Sequence, residues 1–414
     1  MPYDVVPHLW DMKVWHTADW HLGKRLHEQS LHADQRHFFE WMLDEIEQRG
    51  VDVLLVSGDV FDTANPPTES RALYYSMLTR LAALNVQVVV TGGNHDSPSM
   101  LNAPKELLEA LRIRVIGELP TELSDALIPL GPTEAPEAVV AAIPFVRDNA
   151  LRQITPGLTP TERQEAIRTG LHELFHAAGA ACKALYPELP ALAMGHLYAA
   201  GTQLSESERE IQVGNLAGVE PSTFPAHFQY VALGHIHKPQ PVAPHIRYSG
   251  SPLPLSFSER DQQHRVLEFT IDSGQVSAAE TVHIPAIRKL VQVSGDLQQV
   301  RERLERLPAN GRLSTLIEAR LVIEHADPAI TLNFSQLVEQ FNTLHSDARI
   351  VKQFIELTGE RSRTTDILPD ADLKQLQPPQ VFEALLDAEG IEDRNVLREA
   401  FQELIQELHQ DERA

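Results

Sequence analysis

The chain has 414 residues, of which 43% are apolar, and it carries a formal net charge of −23. That length exceeds one ordinary core and implies two or three domains, and the acidic balance excludes a general basic coat for nucleic acid while leaving room for bound cations or a basic partner. No apolar run reaches the roughly 18–20 residues of a membrane span, the N-terminus lacks the basic-then-apolar order of a secretion signal, and a lone cysteine, Cys182, allows no intrachain disulfide, which points to a reducing cytoplasm.

Taken in chain order, residues 1–11 read as a flexible extension, and Met12 is an alternative start because a strand begins directly after it at Lys13-Val14-Trp15-His16. Strands and helices then alternate to about residue 116. The β-branched runs 51–56 and 86–90 read as buried strands. A helix over about 34–48 places Phe38, Phe39, Met42, Leu43 and Ile46 on one face and stops at Gly50, and another spans about 68–84. Residues 119–137 read as strand edges and loops, 161–179 as a helix, 191–194 and 229–233 as strands, and 242–284 as short strands and turns. Alternation followed by strands predicts an α/β domain with a mixed, two-sheet core.

Pro285 marks a boundary. Strand (288–293), helix (296–307), strand (314–323), helix (331–344) and strand (348–355) then form a unit of a size that folds alone. A Pro-punctuated linker, 358–379, leads to a helical tail, 380–414, whose Leu397, Phe401, Leu404, Ile405 and Leu408 form an apolar stripe. Such a stripe either packs back on its own domain or docks on a partner; the linker favours docking.

Five polar clusters each follow a strand-like run: Asp19-Trp20-His21, Gly58-Asp59-Val60-Phe61-Asp62, Gly93-Asn94-His95-Asp96, Gly195-His196 and Gly234-His235-Ile236-His237. Parallel-sheet enzymes gather ligands in loops at the carboxyl ends of their strands, and oxygen plus imidazole without thiolate suits Mn²⁺, Fe or Zn. A carboxylate such as Asp59 can bridge two ions, the arrangement that hydrolyses phosphate esters. His95 is suited to protonate a leaving oxygen, with Asp96 to orient it. Asp62 is either a supporting partner or a solvent-facing loop residue. Trp20 is either a platform beside substrate or, the favoured reading, a packing plug. Lys24 and Arg25 follow the first cluster and are placed to touch a substrate phosphate. His172-Glu173-Leu174-Phe175-His176 matches the H-E-x-x-H pattern of zinc proteases but lacks a convincing third ligand downstream, so it reads as a solvated helix face.

The order D-x-H, G-D-x-x-D, G-N-H-D, G-H, G-H-x-H resembles the calcineurin-like metallophosphoesterase superfamily. His16-Thr17-Ala18-Asp19-Trp20-His21-Leu22-Gly23, Gly234-His235-Ile236-His237-Lys238-Pro239 and Tyr248-Ser249-Gly250-Ser251-Pro252 narrow the resemblance to the bacterial SbcD nuclease subunits, over nearly the whole chain from Met12. The resemblance implies a four-layer fold of two mixed β-sheets between helices over 12–284, a small α+β capping domain over 285–357, and a tail that binds the coiled-coil ATPase SbcC. It implies one Mn²⁺ on Asp19, His21, Asp59 and His237, another on Asp59, Asn94, His196 and His235, and His95 as the catalytic histidine. In other branches of the family the position of Asp62 is usually His, which leaves its role open. The function implied is a Mn²⁺-dependent DNA exonuclease and endonuclease of repair, recombination and replication, working as a homodimer of nuclease subunits within a heterotetramer. A small-substrate phosphatase or cyclic-nucleotide phosphodiesterase is the alternative on the same site, and a metal-free binding scaffold is the alternative from another class.

Overall fold

The computed structural model describes residues 11–147, 151, 158–205, 218–307 and 311–359, together with Phe382, Leu386, Leu397, Arg398 and Phe401. Nearly all of the expected extension and most of the expected linker and helical tail therefore lie outside the described residues. The contacts divide the chain into two compact units: one holds the chain up to Val293 with Glu302–Ala319 and Leu337–Gln353, the other Ser294–Arg301, Arg320–Gln336 and the chain from Phe354.

The first unit opens with β1 (Met12–Thr17), a small hairpin of β2 (Arg25–Leu26) and β3 (Gln29–Ser30), and α1 (His32–Arg49). Gly50 ends α1 in a left-handed conformation, φ 66°, with its N–H returned to the Ile46 carbonyl. There follow β4 (Val53–Ser57), α2 (Thr68–Ala83), β5 (Gln87–Thr91), the short helices α3 (Pro98–Asn102) and α4 (Lys105–Glu109), and β6 (Ile113–Ile116). Next come β7 (Leu127–Leu130), β8 (Ala138–Ala142), α5 (Pro160–Leu185), β9 (Ala191–His196), β10 (Phe228–Gly234), β11 (Gln240–Ala243) and β12 (Ile246–Tyr248). The last strands of this part are β13 (Arg265–Asp272), β14 (Gln275–Val276) and β15 (Glu280–His283).

Two sheets result. The first runs β14-β13-β1-β4-β5-β6, with β15 also paired to β13, and β1, β4, β5 and β6 are parallel. The second runs β11-β12-β10-β9-β8-β7, parallel from β12 through β8. Alternate side chains of each buried strand face opposite ways, and this produces four layers. Val14, Val53, Leu55 and Val89 of the first sheet meet Leu192, Met194, Tyr230 and Ala232 of the second. The outer face of the first sheet (Trp15, Leu54, Val56, Val88, Val90) buries Phe38, Met42 and Ile46 of α1 and Met77 and Leu81 of α2. The outer face of the second (Val139, Ala141, Val231, Leu233) buries Phe175, Ala178 and Cys182 of α5.

Three details depart from the reading of the sequence. Ala138–Ala142 is a central strand that alanine-rich sequence concealed. The stretch 276–284 is broken into two short strands. Helix α5 runs on to Leu185 instead of stopping at Gly179, because that glycine serves packing: a Cβ there would lie 3.2 Å from Pro225 Cγ. The start of α5 is locally encoded by a capping box, the Thr159 hydroxyl accepting from the Glu162 N–H and the Glu162 carboxylate accepting from the Thr159 N–H.

Beyond Pro285 lie β16 (Leu290–Gly295), α6 (Leu297–Glu305), β17 (Thr315–Ile323), α7 (Pro328–Leu344) and β18 (Ala348–Leu357), with a three-stranded sheet in the order β16-β17-β18. Within the first unit, the Arg288 guanidinium grips the Asp34 carboxylate with two hydrogen bonds of 2.7 and 2.9 Å, both groups buried. In the second unit Arg320 pairs with Glu356 at 3.1 Å and stacks over Phe354. In the tail, the Phe382 and Phe401 rings stack with centroids 4.1 Å apart. Among the described residues no helix is long and apolar enough to cross a membrane.

Candidate metal centre

The five clusters sit in loops after β1, β4 and β5 of the first sheet and at the ends of β9 and β10 of the second. Hydrogen bonds lace these loops together. The N–H groups of Asp19, His21 and Leu22 donate to the carbonyls of Gly58, Asp59 and Val60, so the first two loops run side by side. The Asp19 carboxylate accepts from the His235 N–H at 2.9 Å, and the His196 Nδ1 meets the Ser57 carbonyl at 2.9 Å, tying each sheet to the other. The backbone is strained where it delivers these groups: Asp19 (φ 56°), His21 (φ 43°), Asp59 (φ 47°) and His235 (φ 96°) occupy a region that side chains other than glycine rarely adopt. Glycine supplies the room. A Cβ on Gly93 would overlap the Asp59 carboxylate.

The side chains converge as two neighbouring sets. Asp19, His21 and His237 offer ligand atoms within 4.8 Å of one another, as do Asp59, His196 and His235, and also His21, Asp59 and His95. Asp59 Oδ2 lies between the sets, 3.6 Å from His21 Nε2 and 3.3 Å from His196 Nε2. The Asn94 amide oxygen completes the second set at 2.9 Å from His196 Nε2 and 3.0 Å from His235 Nδ1. Ligands held at about 2.1 Å from one cation at right angles stand roughly 3 Å apart, so these spacings suit shared ions.

Burial supplies the fit test. Asp19 is 0% and Asp59 2% exposed, yet among the described residues no lysine or arginine pairs with either. Asp19 Oδ2 and His21 Nε2 are buried without a hydrogen-bond partner. Orphaned acceptors of this kind are costly unless a cation satisfies them. Burial pushes the Asp19 carboxyl up to about 7, against the pull of His196 and His237. Burial also raises Asp59, but His196, His21 and His95 outweigh it and hold that carboxyl well below its ordinary range. Burial lowers His21 to about 4 and His235 to about 3, so both present neutral imidazoles, the form able to ligate a cation. His196 goes the other way, to about 9, because Asp59 and Asp19 overcome the effect of burial.

A supporting ring of groups orients the imidazoles. The Asp62 carboxylate meets His21 Nδ1 at 3.1 Å and pairs with Lys24 Nζ at 3.1 Å. The Asp62 side chain thus faces His21 and Lys24 and is half-buried. Burial raises its pKa, but the hydrogen bonds from His21 and Lys24 prevail and bring it to about 2. Asp96 corrects an expectation. Its carboxylate does not reach the His95 ring; it accepts from the N–H groups of Gly93, Val60 and Phe61 and so holds the second and third loops together. The Asp62 carbonyl, 2.8 Å from Nδ1, orients His95 instead. Trp20 is a plug: it is 1% exposed, packed on Phe38 and Phe39, with its indole N–H on the Thr17 hydroxyl. On α5, His172, Glu173 and His176 face solvent while Leu171, Phe175 and Ala178 are buried, so the protease-like pattern is a solvated face.

Glu259 escaped the reading of the sequence. It is fully buried, its Oε1 3.4 Å from His237 Nδ1 and its Oε2 accepting from the Leu255 N–H at 2.8 Å. It lies 22 residues from its partner, at the end of a short 3-10 helix (Phe257–Glu259) with no motif, so only the fold reveals the pairing.

The model of the calcineurin-like phosphoesterases matches residues 12–239, which contain all five clusters. The chain belongs to this family. Within it, the chain is of the SbcD nuclease-subunit type. The SbcD subunit of the SbcCD nuclease of Escherichia coli strain K12 is 33% identical over 301 residues, 71% of this chain and 74% of that protein. The same subunit from Rhodobacter capsulatus is 35% identical over 308 residues (72% and 76%), and that from Bacillus subtilis 31% identical over 286 (68% and 72%). The family makes the chain a metal-dependent phosphodiesterase and accounts for its divalent-metal cluster.

Proposed function

We propose that the chain is the Mn²⁺-dependent DNA nuclease subunit of a complex with an SbcC-type coiled-coil ATPase. It cuts duplex DNA as an exonuclease and single strands and hairpins as an endonuclease, in the cytoplasm, in repair, recombination and replication. The observation that carries this reading is the pair of buried, partnerless acceptors Asp19 Oδ2 and His21 Nε2 inside a converging set of carboxylates and imidazoles. In this reading Asp19, His21, Asp59 and His237 hold one ion and Asp59, Asn94, His196 and His235 the other. Bound there, a metal pair would supply positive charge for the phosphate oxygens and would make a water acidic enough to serve as nucleophile.

The protein's own residues do the rest. Asp59, whose carboxylate lies between the two sets, would be a ligand to both ions. Asp62 and Glu259 fix the tautomers of His21 and His237 so that the opposite ring nitrogens face the site. His95, whose Nδ1–H donates to the Asp62 carbonyl, keeps Nε2 for the leaving oxygen; acting as the imidazolium, it gives up its Nε2 proton to that oxygen as the P–O bond breaks and is left as the neutral imidazole.

The segment 285–357 acts in this proposal as a cap shaping DNA access, 358–379 as a linker and 380–414 as the tail that docks on the ATPase; nuclease subunits pair within a heterotetramer. Its support is that the relatives at 31–35% identity are named as subunits of the SbcCD nuclease. The test is Mn²⁺-dependent cleavage of a DNA hairpin by the purified pair. His95→Gln should abolish cleavage while calorimetric Mn²⁺ binding persists. Full activity in that variant would overturn the role of His95; hydrolysis of p-nitrophenyl phosphate with DNA untouched would overturn the nuclease reading.

A further inference from the structure

Beside the metal centre lies a cavity of about 230 Å³ lined by Gly93, Pro98, Glu118, Leu119, Phe145 and Arg147, among others. The Phe145 ring also lines a smaller hollow with His196 and His235. It meets the His196 imidazole edge-on, with ring centroids 6.2 Å apart, and it is only partly buried. Its N–H is pinned to the Gly92 carbonyl at 2.8 Å, next to the loop that carries Asn94 and His95. Arg147, exposed at the rim, touches the Asp96 carbonyl at 3.4 Å. A partly exposed aromatic ring beside His196, with a guanidinium lining the same cavity, is the combination that proteins use to hold an unstacked base and its phosphate.

We propose that Phe145 is a stacking platform for the nucleobase next to the scissile phosphate, with the adjoining cavity as its subsite and Arg147 facing a neighbouring phosphate. The inference rests on the nuclease reading and deepens it: the enzyme grips an unpaired nucleotide by its base as well as by its phosphate. Recognition by stacking tolerates any base, because every base has a π-face. The competing role for Phe145 is a wedge that only steadies His196.

The test compares deoxyadenosine 5′-monophosphate with deoxyribose 5-phosphate by calorimetry on the Mn²⁺-loaded protein. Base stacking of the usual strength makes the nucleotide bind roughly 10-fold more tightly. Phe145→Leu, which keeps apolar bulk without a π-face, should erase that preference and leave the sugar phosphate unaffected; Phe145→Trp should keep it. Equal binding of both compounds by the wild type, or equal weakening of both by Phe145→Leu, would overturn the platform. Oligonucleotide cleavage by the same wild-type sample separates the two levels: cleavage with equal binding removes the subsite alone, and absence of cleavage removes the nuclease reading with it.

Discussion

His16 offers a pH prediction whose size follows from its surroundings. The ring is wholly buried between the two sheets, with Nδ1 3.0 Å from the Tyr230 hydroxyl. Burial lowers its pKa to about 3, against a smaller upward pull from the Leu233 carbonyl. The unfolded chain takes up this proton near pH 6.5, and the folded chain does not until about pH 3. Stability is therefore intact above pH 6.5 and falls as the pH drops through the window between those values. Between pH 7.5 and 5.5 the loss from this one residue is about 1.4 kcal/mol, the cost of one pH unit below the unfolded pKa. His16→Gln keeps a polar partner for Tyr230 and cannot titrate. Urea unfolding of both proteins at the two pH values, at fixed metal concentration, isolates the term as a double difference. The variant should lose about 1.4 kcal/mol less than the wild type on acidification. Parallel losses would refute the claim that His16 is held neutral.

Two other outcomes test the centre. Glu259→Gln removes the carboxylate behind His237 and should weaken Mn²⁺ binding roughly 10- to 100-fold, read by calorimetry, while far-ultraviolet circular dichroism stays unchanged. Gly93→Ala forces a methyl group onto the Asp59 carboxylate and should cost roughly 1–3 kcal/mol of stability along with cooperative metal uptake, read by thermal unfolding with and without Mn²⁺.

Much of this architecture can be read from the residues, for a physical reason. Strands buried on both faces need continuous apolar runs, and Val53–Ser57, Gln87–Thr91, Ala191–His196 and Phe228–Gly234 supply them, each bringing glycine and a candidate ligand at or just past its end. What stayed hidden depends on tertiary contact. Ala138–Ala142 lacks the bulk that marks a strand and gains its identity only by pairing with β7 and β9. Gly179 imitates a helix stop because close approach to Pro225 and chain reversal call for the same residue. Asp96 stands next to His95 in sequence, yet its carboxylate is taken up by three backbone N–H groups and leaves orientation of the ring to the Asp62 carbonyl. Glu259 and Phe145 carry no motif at all, so their meaning is wholly a matter of which loops the two sheets bring together.

The Arg288–Asp34 pair reaches further than its own hydrogen bonds. Asp34 is followed in α1 by Gln35, whose amide donates to the His21 carbonyl at 2.7 Å and accepts from the Gly23 N–H. Two successive residues of one helical turn thus connect Arg288 to the loop presenting His21. The stretch just past Pro285 is in this way tied by side-chain hydrogen bonds to the first turn of α1 and, through it, to the loop that carries two of the candidate metal ligands.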